Sequence, residues 1–281
     1  MSYYKILGLD REPFSTSPDP VFFYESEEHR AALMRLMVEI RLKRGLSLIL
    51  GDVGTGKTTL SRKLFHMLKE REDIVFHMIL DPTYETEELF LDSLIRTFKI
   101  DVNPATANIL DYKEAIKKYL FQKGVEENKI VVLLIDEAQK LNFLSLEILR
   151  VLLNYETNEF KLLQLVLLSQ LELLPKLKEM KNLMDRINLK YVLNPLDESE
   201  TKKMIEFRLT AAGYQPGIEF FDDEAIREIY HYTQGYPRRI SMICHHALKT
   251  LVMENKSMVD GALIRGIIAK ESQVFAEHKV A

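Results

Sequence analysis

The sequence has very little cysteine and no long run of apolar residues. Its 281 residues include one cysteine and no tryptophan, and the longest purely apolar run is the six residues 130–135. A single cysteine excludes a disulfide framework within the chain, and a membrane helix needs about 18 consecutive apolar residues. No stretch near Met1 has the basic and then apolar pattern of a secretory signal. These absences predict a cytoplasmic protein without a membrane-spanning segment.

Neither sign of charge dominates the composition. Lysine and arginine number 38 against 42 aspartate and glutamate, which gives a net charge of −4. No overall positive field therefore draws the protein to nucleic acid or anionic lipid, and any such contact has to be local. The hydrophobic fraction of 47% is that of a folded protein with one large domain or two smaller ones. Cys244 falls on the apolar stripe of a predicted helix, which favours a reduced thiol in the core over a nucleophile.

Apolar segments alternate with amphipathic helical patterns over the first two thirds of the chain. Strands are predicted at 47–50, 74–80, 130–135, 162–168 and near 189–193, and helices at 26–44, 57–71, 86–98, 108–123 and 145–154. Strands that are apolar throughout, separated by helices, indicate a parallel sheet covered on both faces. After residues 194–196 only helical stretches remain, at 198–212, 222–233, 237–254 and 259–277. We predict an α/β core with a parallel five-stranded sheet at 1–196 and a small helical lid domain at 197–281.

A phosphate-binding motif follows the first predicted strand. Residues 51–59 read GDVGTGKTT and satisfy the pattern G-x-x-x-x-G-K-[ST], between a strand and a helix as the motif requires. Glycines let backbone N–H groups converge on phosphate oxygens, Lys57 reaches the β and γ phosphates, and Thr58 offers its hydroxyl to Mg²⁺. The predicted nucleotide-binding residues of this loop are Gly51, Asp52, Val53, Gly54, Thr55, Gly56, Lys57, Thr58 and Thr59.

Acidic residues end a second apolar strand, VVLLIDEAQ. Asp136 is placed to hold the Mg²⁺ shell together with Thr58, and Glu137 to orient and polarise a water against the γ-phosphate. The alternative is that the strand simply ends in solvated carboxylates. The presence of a phosphate loop in the same chain disfavours this alternative. We therefore predict Asp136 as a metal residue and Glu137 as a catalytic residue.

Two further candidates flank the last predicted strands. LLQLVLLSQ ends in Ser169 and Gln170, and a polar side chain there would lie between Glu137 and the γ-phosphate, where it could position the attacking water. Gln170 is the first choice and Ser169 the second, the alternative being a polar residue that opens a loop. Arg186 precedes the last strand and by itself carries little weight, because arginine is ordinary on a solvated loop.

The segment GYPRRI at 235–240 places two arginines where a helix begins. Pro237 suits the first helical position, so Arg238 and Arg239 fall in the first turn. The helix dipole disfavours a cation there by roughly 0.3–1 kcal/mol. An anion that comes to these arginines would remove that cost.

With these motifs in order, the chain resembles the AAA+ ATPases, and more closely the ATPase domain of the ExeA/GspA family of general-secretion proteins. The segments that carry the resemblance are YYKILGLDREPFSTSPDPVFFYESEEH at 3–29, GDVGTGKTTL, LLIDEAQKL, LLSQLELL, MDRI, LNPLDESET at 193–201, and GYPRRIS. The resemblance extends over almost the whole chain, and generic P-loop proteins lack PFSTSPDP and GYPRRI.

The resemblance implies a P-loop NTPase (AAA+) fold, an ATPase that requires ATP and Mg²⁺, and a nucleotide-dependent homo-oligomer. It implies that Arg238 is the second sensor, which reaches the phosphates of the bound nucleotide, while Arg239 either assists or is solvated. Gln170 matches the first sensor, and Arg186 the arginine finger supplied to a neighbouring subunit. The N-terminal segment would line the adenine pocket with Phe14 or Tyr24, unless these are core aromatics.

The sequence departs from the family in two respects. Secretion members continue past the ATPase into a transmembrane segment and a periplasmic part, whereas this chain ends soon after the lid, as a stand-alone relative or as the cytoplasmic portion alone. The family often reads G-Q-P-E-L where residues 169–173 read SQLEL.

Three functions compete at this point. The first is an ATP-driven ATPase that assembles or remodels a protein complex, as the resemblance implies. The second is a DNA-associated AAA+ regulator of the transposition target-selection type, and the third is a slow nucleotide-gated scaffold. Basic clusters lie at 117–118, 176–181 and 202–203, but acidic neighbours interleave with most of them, as on solvated helix faces. DNA therefore stays the second choice of partner, and the protein partner is not readable from the sequence.

Overall fold

The computed structural model describes residues 2–15, 19–103, 107–214 and 220–277. Residues 16–18 of the PFSTSPDP segment lie outside this part of the chain. The chain divides into two compact units. One unit, the sheet unit, comprises Glu27–Val53 and Lys57–Leu193; the other, the helical unit, comprises the residues up to Ser26, the three residues Gly54–Gly56 and the residues from Asn194 onward.

The structure contains five strands and twelve α-helices over the described residues. The strands are β1 (Leu46–Gly51), β2 (Ile74–Ile79), β3 (Ile130–Ile135), β4 (Leu163–Ser169) and β5 (Ile187–Leu193). The helices are α1 (Tyr3–Ile6), α2 (Glu27–Arg41), α3 (Lys57–Leu68), α4 (Glu87–Phe98), α5 (Ile109–Phe121), α6 (Phe143–Leu152), α7 (Leu173–Glu179), α8 (Lys181–Met184), α9 (Glu198–Ala211), α10 (Asp223–Thr233), α11 (Pro237–Met253) and α12 (Gly261–Glu277).

The strands form one parallel sheet in the order β2-β3-β4-β1-β5, which confirms the predicted α/β class and the five-stranded sheet. Every residue of β1 and β4 is buried, which explains why these strands lack apolar and polar alternation. Leu48 and Leu133 belong to one core cluster, and Ile49 and Leu134 to another. Successive residues of a strand face opposite sides, so these clusters are the cores on the two faces of the sheet.

Helices cover both faces of the sheet. The cluster that contains Ile49 draws its helix residues from α2 and α3, and the cluster that contains Leu48 draws them from α4 to α8. No helix of the described residues is long and apolar enough to cross a membrane.

The predicted element boundaries differ from the observed ones by a few residues. Helix α2 ends at Arg41 rather than at 44, and α6 begins at Phe143 rather than at 145 because the Asn142 side chain accepts a hydrogen bond from the Ser145 N–H. The sequence reading missed α1, α7 and α8, which have four, seven and four residues. Helices this short show too few turns for a periodic apolar pattern.

The helical unit has a core to which the N-terminal residues contribute. Leu9, Phe14 and Phe22 are buried in one cluster with residues of α9 to α12. The Arg208 guanidinium on α9 donates hydrogen bonds to the Phe22 carbonyl (3.1 Å) and to that of Ser15 (3.3 Å). The described residues before Glu27 thus group with the C-terminal helices, whereas the prediction of a 1–196 core placed them with the sheet.

Cys244 is fully buried in the same core, as the apolar stripe predicted. Burial raises the pKa of its thiol, since the thiolate would lose its hydration. The residue is therefore a core side chain and not a nucleophile.

A close backbone contact fixes the chain where it enters the helical unit. The Leu196 N–H donates to the carbonyl of Gly235, two residues before α11, at 2.9 Å. Gly235 has a φ of +73°, and a Cβ at this position would lie 1.8 Å from the Leu196 carbonyl oxygen. Glycine is therefore required here both for the backbone conformation and for space.

Candidate functional site

Three neighbouring strands end at the same edge of the sheet unit. β4 lies between β3 and β1, with Leu50 opposite Ser169 and Ile135 opposite Leu167. The segments that follow the strands are the phosphate loop, the pair Asp136-Glu137 and Gln170. Because parallel strands end on the same side, the sheet brings these predicted residues together, at the place where α/β sheets bind ligands.

Lys57 is the first residue of α3 and is buried, with 5% of its surface exposed. Its ammonium donates to the Gly51 carbonyl at 2.7 Å and to the Asp52 carbonyl at 3.0 Å. Burial lowers the pKa of Lys57, and the nearby Glu137 and Asp136 carboxylates oppose that effect. A cation beside the N-terminus of a helix forms a site that attracts an anion such as phosphate.

The remaining loop residues differ in exposure. Gly54 and Gly56 have φ values of +88° and +98°, which glycine adopts without strain. Thr55 is buried, whereas Val53 is 58% exposed. Asp52 is exposed, and Thr59 lies half-buried in the first turn of α3.

Asp136 is buried directly after β3, with 2% of its surface exposed. Burial raises the pKa of this carboxyl, while hydrogen bonds from the Glu137 backbone N–H and the Thr58 side chain counteract the rise. The Glu137 N–H donates to Asp136 Oδ1 at 2.9 Å. The carboxylate and the Thr58 hydroxyl are hard oxygen donors, and Mg²⁺ is usually held by one or two such groups together with waters and phosphates. These residues therefore fit the predicted ion.

Glu137 lies in a small network of side-chain amides. Its Oε2 accepts a hydrogen bond from Gln139 Nε2 at 2.6 Å and from Gln170 Nε2 at 3.4 Å. Gln139 Oε1 accepts from the Gln170 backbone N–H at 3.1 Å and from the Ser169 hydroxyl at 3.2 Å. The sequence analysis did not predict Gln139, because the order of the residues does not show that this side chain lies beside the end of β4.

Arg186 lies far from these residues within the same unit. It directly precedes β5, whose first residue Ile187 pairs with Leu46 at the start of β1. The phosphate loop follows the other end of β1, five residues further on, which corresponds to about 17 Å at ~3.3 Å per residue. The structure does not bring Arg186 together with Glu137 and Gln170.

Arg238 lies in the first turn of α11, as the sequence predicts. Pro237 occupies the first helical position, and Arg238 is exposed. A Cβ added to Gly54 would lie 3.2 Å from the Arg238 Cβ, so the tip of the phosphate loop packs against this arginine. The Arg239 guanidinium lies 5.0 Å from the centre of the Tyr236 ring, which is a cation–π contact.

The two aromatic residues proposed for an adenine pocket belong to the helical unit. Phe14 is 1% exposed within its core, and Tyr24 packs against that core. The alternative interpretation as core aromatics therefore describes Phe14 correctly.

Comparison with known families and proteins agrees with this geometry. Residues 40–177 match the family described as AAA domain. The general secretion pathway protein A of Aeromonas hydrophila is 37% identical over 248 residues, which cover 88% of this chain and 44% of that protein. The chain thus spans less than half the length of this relative.

Solved structures show the same fold at low sequence identity. The ORC2 protein of Aeropyrum pernix, in ADPNP-ADP complexes, has a TM-score of 0.65 at 17% identity, covering 93% of this chain and 71% of that one. The ORC1 protein of the same organism, in complex with DNA, has a TM-score of 0.65 at 18% identity, with coverages of 92% and 69%. The RuvB branch migration motor of Thermotoga maritima scores 0.56 at 16% identity, with coverages of 86% and 67%. The chain therefore contains an AAA domain with the P-loop fold at residues 40–177, and it is similar to general secretion pathway protein A over 88% of its length.

Proposed function

We propose that the chain binds ATP with Mg²⁺ and hydrolyses it to ADP and phosphate. The observation that carries the proposal is the meeting of Lys57, Asp136 and Glu137 at one edge of the sheet. A buried ammonium at a helix N-terminus supplies the phosphate site, and a buried carboxylate supplies the metal site. A second, less buried carboxylate supplies the base.

Each residue has a defined task in this proposal. Lys57 and the loop N–H groups hold the phosphates, and Thr58 and Asp136 hold Mg²⁺, which neutralises charge on the β and γ phosphates when bound. Glu137 orients the attacking water and takes its proton, and the amide of Gln170 positions the same water. Arg238 reaches the phosphates from α11.

We further propose that nucleotide turnover drives the assembly or remodelling of a protein complex in the cytoplasm. The similarity to general secretion pathway protein A over 88% of the chain supports this output. The position of Arg186, at the far end of the sheet from Glu137 of its own chain, supports turnover in a homo-oligomer in which a neighbouring subunit receives this arginine. The alternative of a slow nucleotide-gated scaffold would use the same nucleotide site with little turnover.

A DNA-associated function is the second candidate, because one similar structure is that of a protein in complex with DNA. The net charge of −4 argues against an extended phosphate-binding face. Titration with duplex DNA at 50 and 200 mM salt separates the two functions. Phosphate contacts would give an affinity that falls steeply with salt, and we expect no such binding.

Glu137→Gln tests the hydrolytic function. We expect ATP affinity within a few-fold of the wild type and turnover lower by roughly 10²-fold, because the variant keeps the shape of the side chain but cannot accept the proton of water. Glu147→Gln is the control, since Glu147 is bound by Arg150 on α6 outside the site, and its turnover should stay at the wild-type rate. Undiminished turnover in Glu137→Gln would refute the assignment.

A further inference from the structure

Gln139 has no task in the proposed mechanism, yet its side chain joins two of the residues that do. Its amide bridges the Glu137 carboxylate and the Gln170 backbone N–H, with distances of 2.6 and 3.1 Å. Glu137 follows β3 and Gln170 follows β4, so the amide connects the ends of two neighbouring strands. One side chain therefore contacts both the predicted base and the predicted sensor.

The hydrogen bonds determine the orientation of the Gln139 amide. A backbone N–H is always a donor, so the atom that faces the Gln170 N–H has to be the acceptor oxygen. The amide nitrogen then faces Glu137 and donates to its carboxylate. The opposite orientation would set two donors against each other at Gln170 and an oxygen against a carboxylate at Glu137.

The backbone of Gln139 is also held in place. Lys176 on α7 donates its ammonium to the Gln139 carbonyl at 2.7 Å and to the Leu141 carbonyl at 2.9 Å. Helix α7 begins four residues after β4, so the turn that carries Gln139 is tied to the sensor strand through both its backbone and its side chain. The direction of the amide is thus determined before any ligand binds.

Glu137 needs such a support because its own backbone is unusual. Its φ and ψ are 53° and 36°, in the left-handed region that non-glycine residues rarely adopt, and the side chain is only half-buried. Packing alone does not define the direction of its carboxylate. The hydrogen bond from Gln139, which is shorter than the one from Gln170, defines the direction of the carboxylate.

We propose that Gln139 is a positioning residue that directs the Glu137 carboxylate and ties it to the sensor residue Gln170. The inference rests on the proposed role of Glu137 as the base. Gln139 touches neither nucleotide nor water in this account and acts only through Glu137.

Gln139→Met tests this role, because methionine has a similar length and volume without polar atoms. We expect turnover about 10-fold lower, the effect of losing one hydrogen bond to a charged group, with ATP affinity within about 3-fold. Lys140→Gln is the matched control: it changes the next residue, an exposed side chain paired with Asp81, and should leave turnover unchanged. Turnover of Gln139→Met at or above the wild-type rate would overturn the inference.

A second variant separates positioning from a structural role. Gln139→Glu keeps length and volume but sets a carboxylate against Glu137, so turnover should fall at pH 8. At pH 6 the added carboxyl group, pushed towards its neutral form by its neighbour, can again donate a hydrogen bond, and the deficit relative to the wild type should shrink. A deficit that is independent of pH overturns positioning by a donor.

Combining the Gln139 and Glu137 substitutions distinguishes the positioning role of Gln139 from the proposed catalytic role of Glu137. The double variant Glu137→Gln/Gln139→Met should have the same residual turnover as Glu137→Gln alone in a single-turnover assay, because Gln139 acts through Glu137. An equal 10-fold loss in both backgrounds would contradict the inference. If Glu137→Gln alone keeps full turnover, the proposed function fails instead.

Discussion

At the residue scale, Lys57 combines a charge with burial. Lys57→Ala should lower ATP affinity 10-fold or more, because it removes a charge-assisted contact worth about 1.5–3 kcal/mol. The melting temperature of the free protein should stay the same or rise, since burial already disfavours the ammonium and lowers its pKa. Isothermal titration with ATP and thermal unfolding measure the two effects.

Lys69→Ala provides the control for Lys57→Ala. Lys69 directly follows α3 and is exposed, with its ammonium 3.8 Å from the Glu70 carboxylate. ATP affinity should not change in this variant. An unchanged affinity in Lys57→Ala as well would remove the phosphate site from the loop.

Gly235 gives a prediction about stability that is independent of nucleotide. Gly235→Ala introduces a Cβ at a φ of +73° and 1.8 Å from the Leu196 carbonyl oxygen. We expect the free energy of unfolding to fall by about 2 kcal/mol or more. Gly266→Ala is the matched control, because Gly266 lies within α12 with no atom within 4 Å of an added Cβ, and it should be neutral or stabilise by up to ~1 kcal/mol. Equal effects of the two changes would contradict the contact; urea denaturation measures both.

At the scale of the element, helix α11 begins with two cations. Arg238→Ala should leave the free protein equally stable or slightly more stable, since the helix dipole disfavours a first-turn cation by roughly 0.3–1 kcal/mol. It should also reduce the rise in melting temperature that ATP produces, because a ligand stabilises in proportion to its affinity for the folded state. Thermal unfolding with and without Mg²⁺ and ATP measures both.

Arg239→Ala allows a comparison on the same helix turn. Arg239 contacts the Tyr236 ring, and its loss should alter the ATP-dependent rise less than the loss of Arg238. Equal destabilisation of the Arg238→Ala protein with and without ATP would indicate a packing role for that arginine.

At the scale of the whole molecule, the proposed role of Arg186 concerns how many chains form one working site. It directly precedes β5, at the opposite end of β1 from the phosphate loop, which corresponds to about 17 Å at ~3.3 Å per residue. This position favours a role at the site of a neighbouring subunit. If a neighbouring subunit receives this arginine, turnover per subunit should rise with protein concentration. Arg186→Ala should then bind ATP normally and hydrolyse it slowly.

Mixing two inactive variants tests the shared site directly. Arg186→Ala retains its phosphate loop, and Lys57→Ala retains its arginine, so a mixed oligomer contains complete sites. We expect the mixture to recover turnover that neither variant shows alone, measured as phosphate release. A mixture without turnover, together with wild-type turnover that is flat against concentration, would indicate a monomeric switch.

The sequence by itself determined the fold class and the strands, and it predicted the residues of the candidate site. Strands β1, β3 and β4 are apolar almost throughout, which is typical of strands buried on both faces, and a glycine-rich loop between a strand and a helix is typical of phosphate binding. Asp136 and Glu137 were predicted because they end an apolar strand in a chain that also has a phosphate loop, and their roles stay predictions. These are local patterns, and they can be recognised from neighbouring residues in the sequence.

Only the tertiary structure decided what depends on contacts between distant segments. The packing of the described residues before Glu27 with α9 to α12 is set by contacts between distant segments, as in the hydrogen bond from Arg208 to the Phe22 carbonyl, 186 residues away. The role inferred for Gln139 depends on a bridge to Gln170, 31 residues away, and on the direction of its amide. A glutamine after an acidic pair is ordinary in sequence, because nothing in one dimension shows which strand lies beside it.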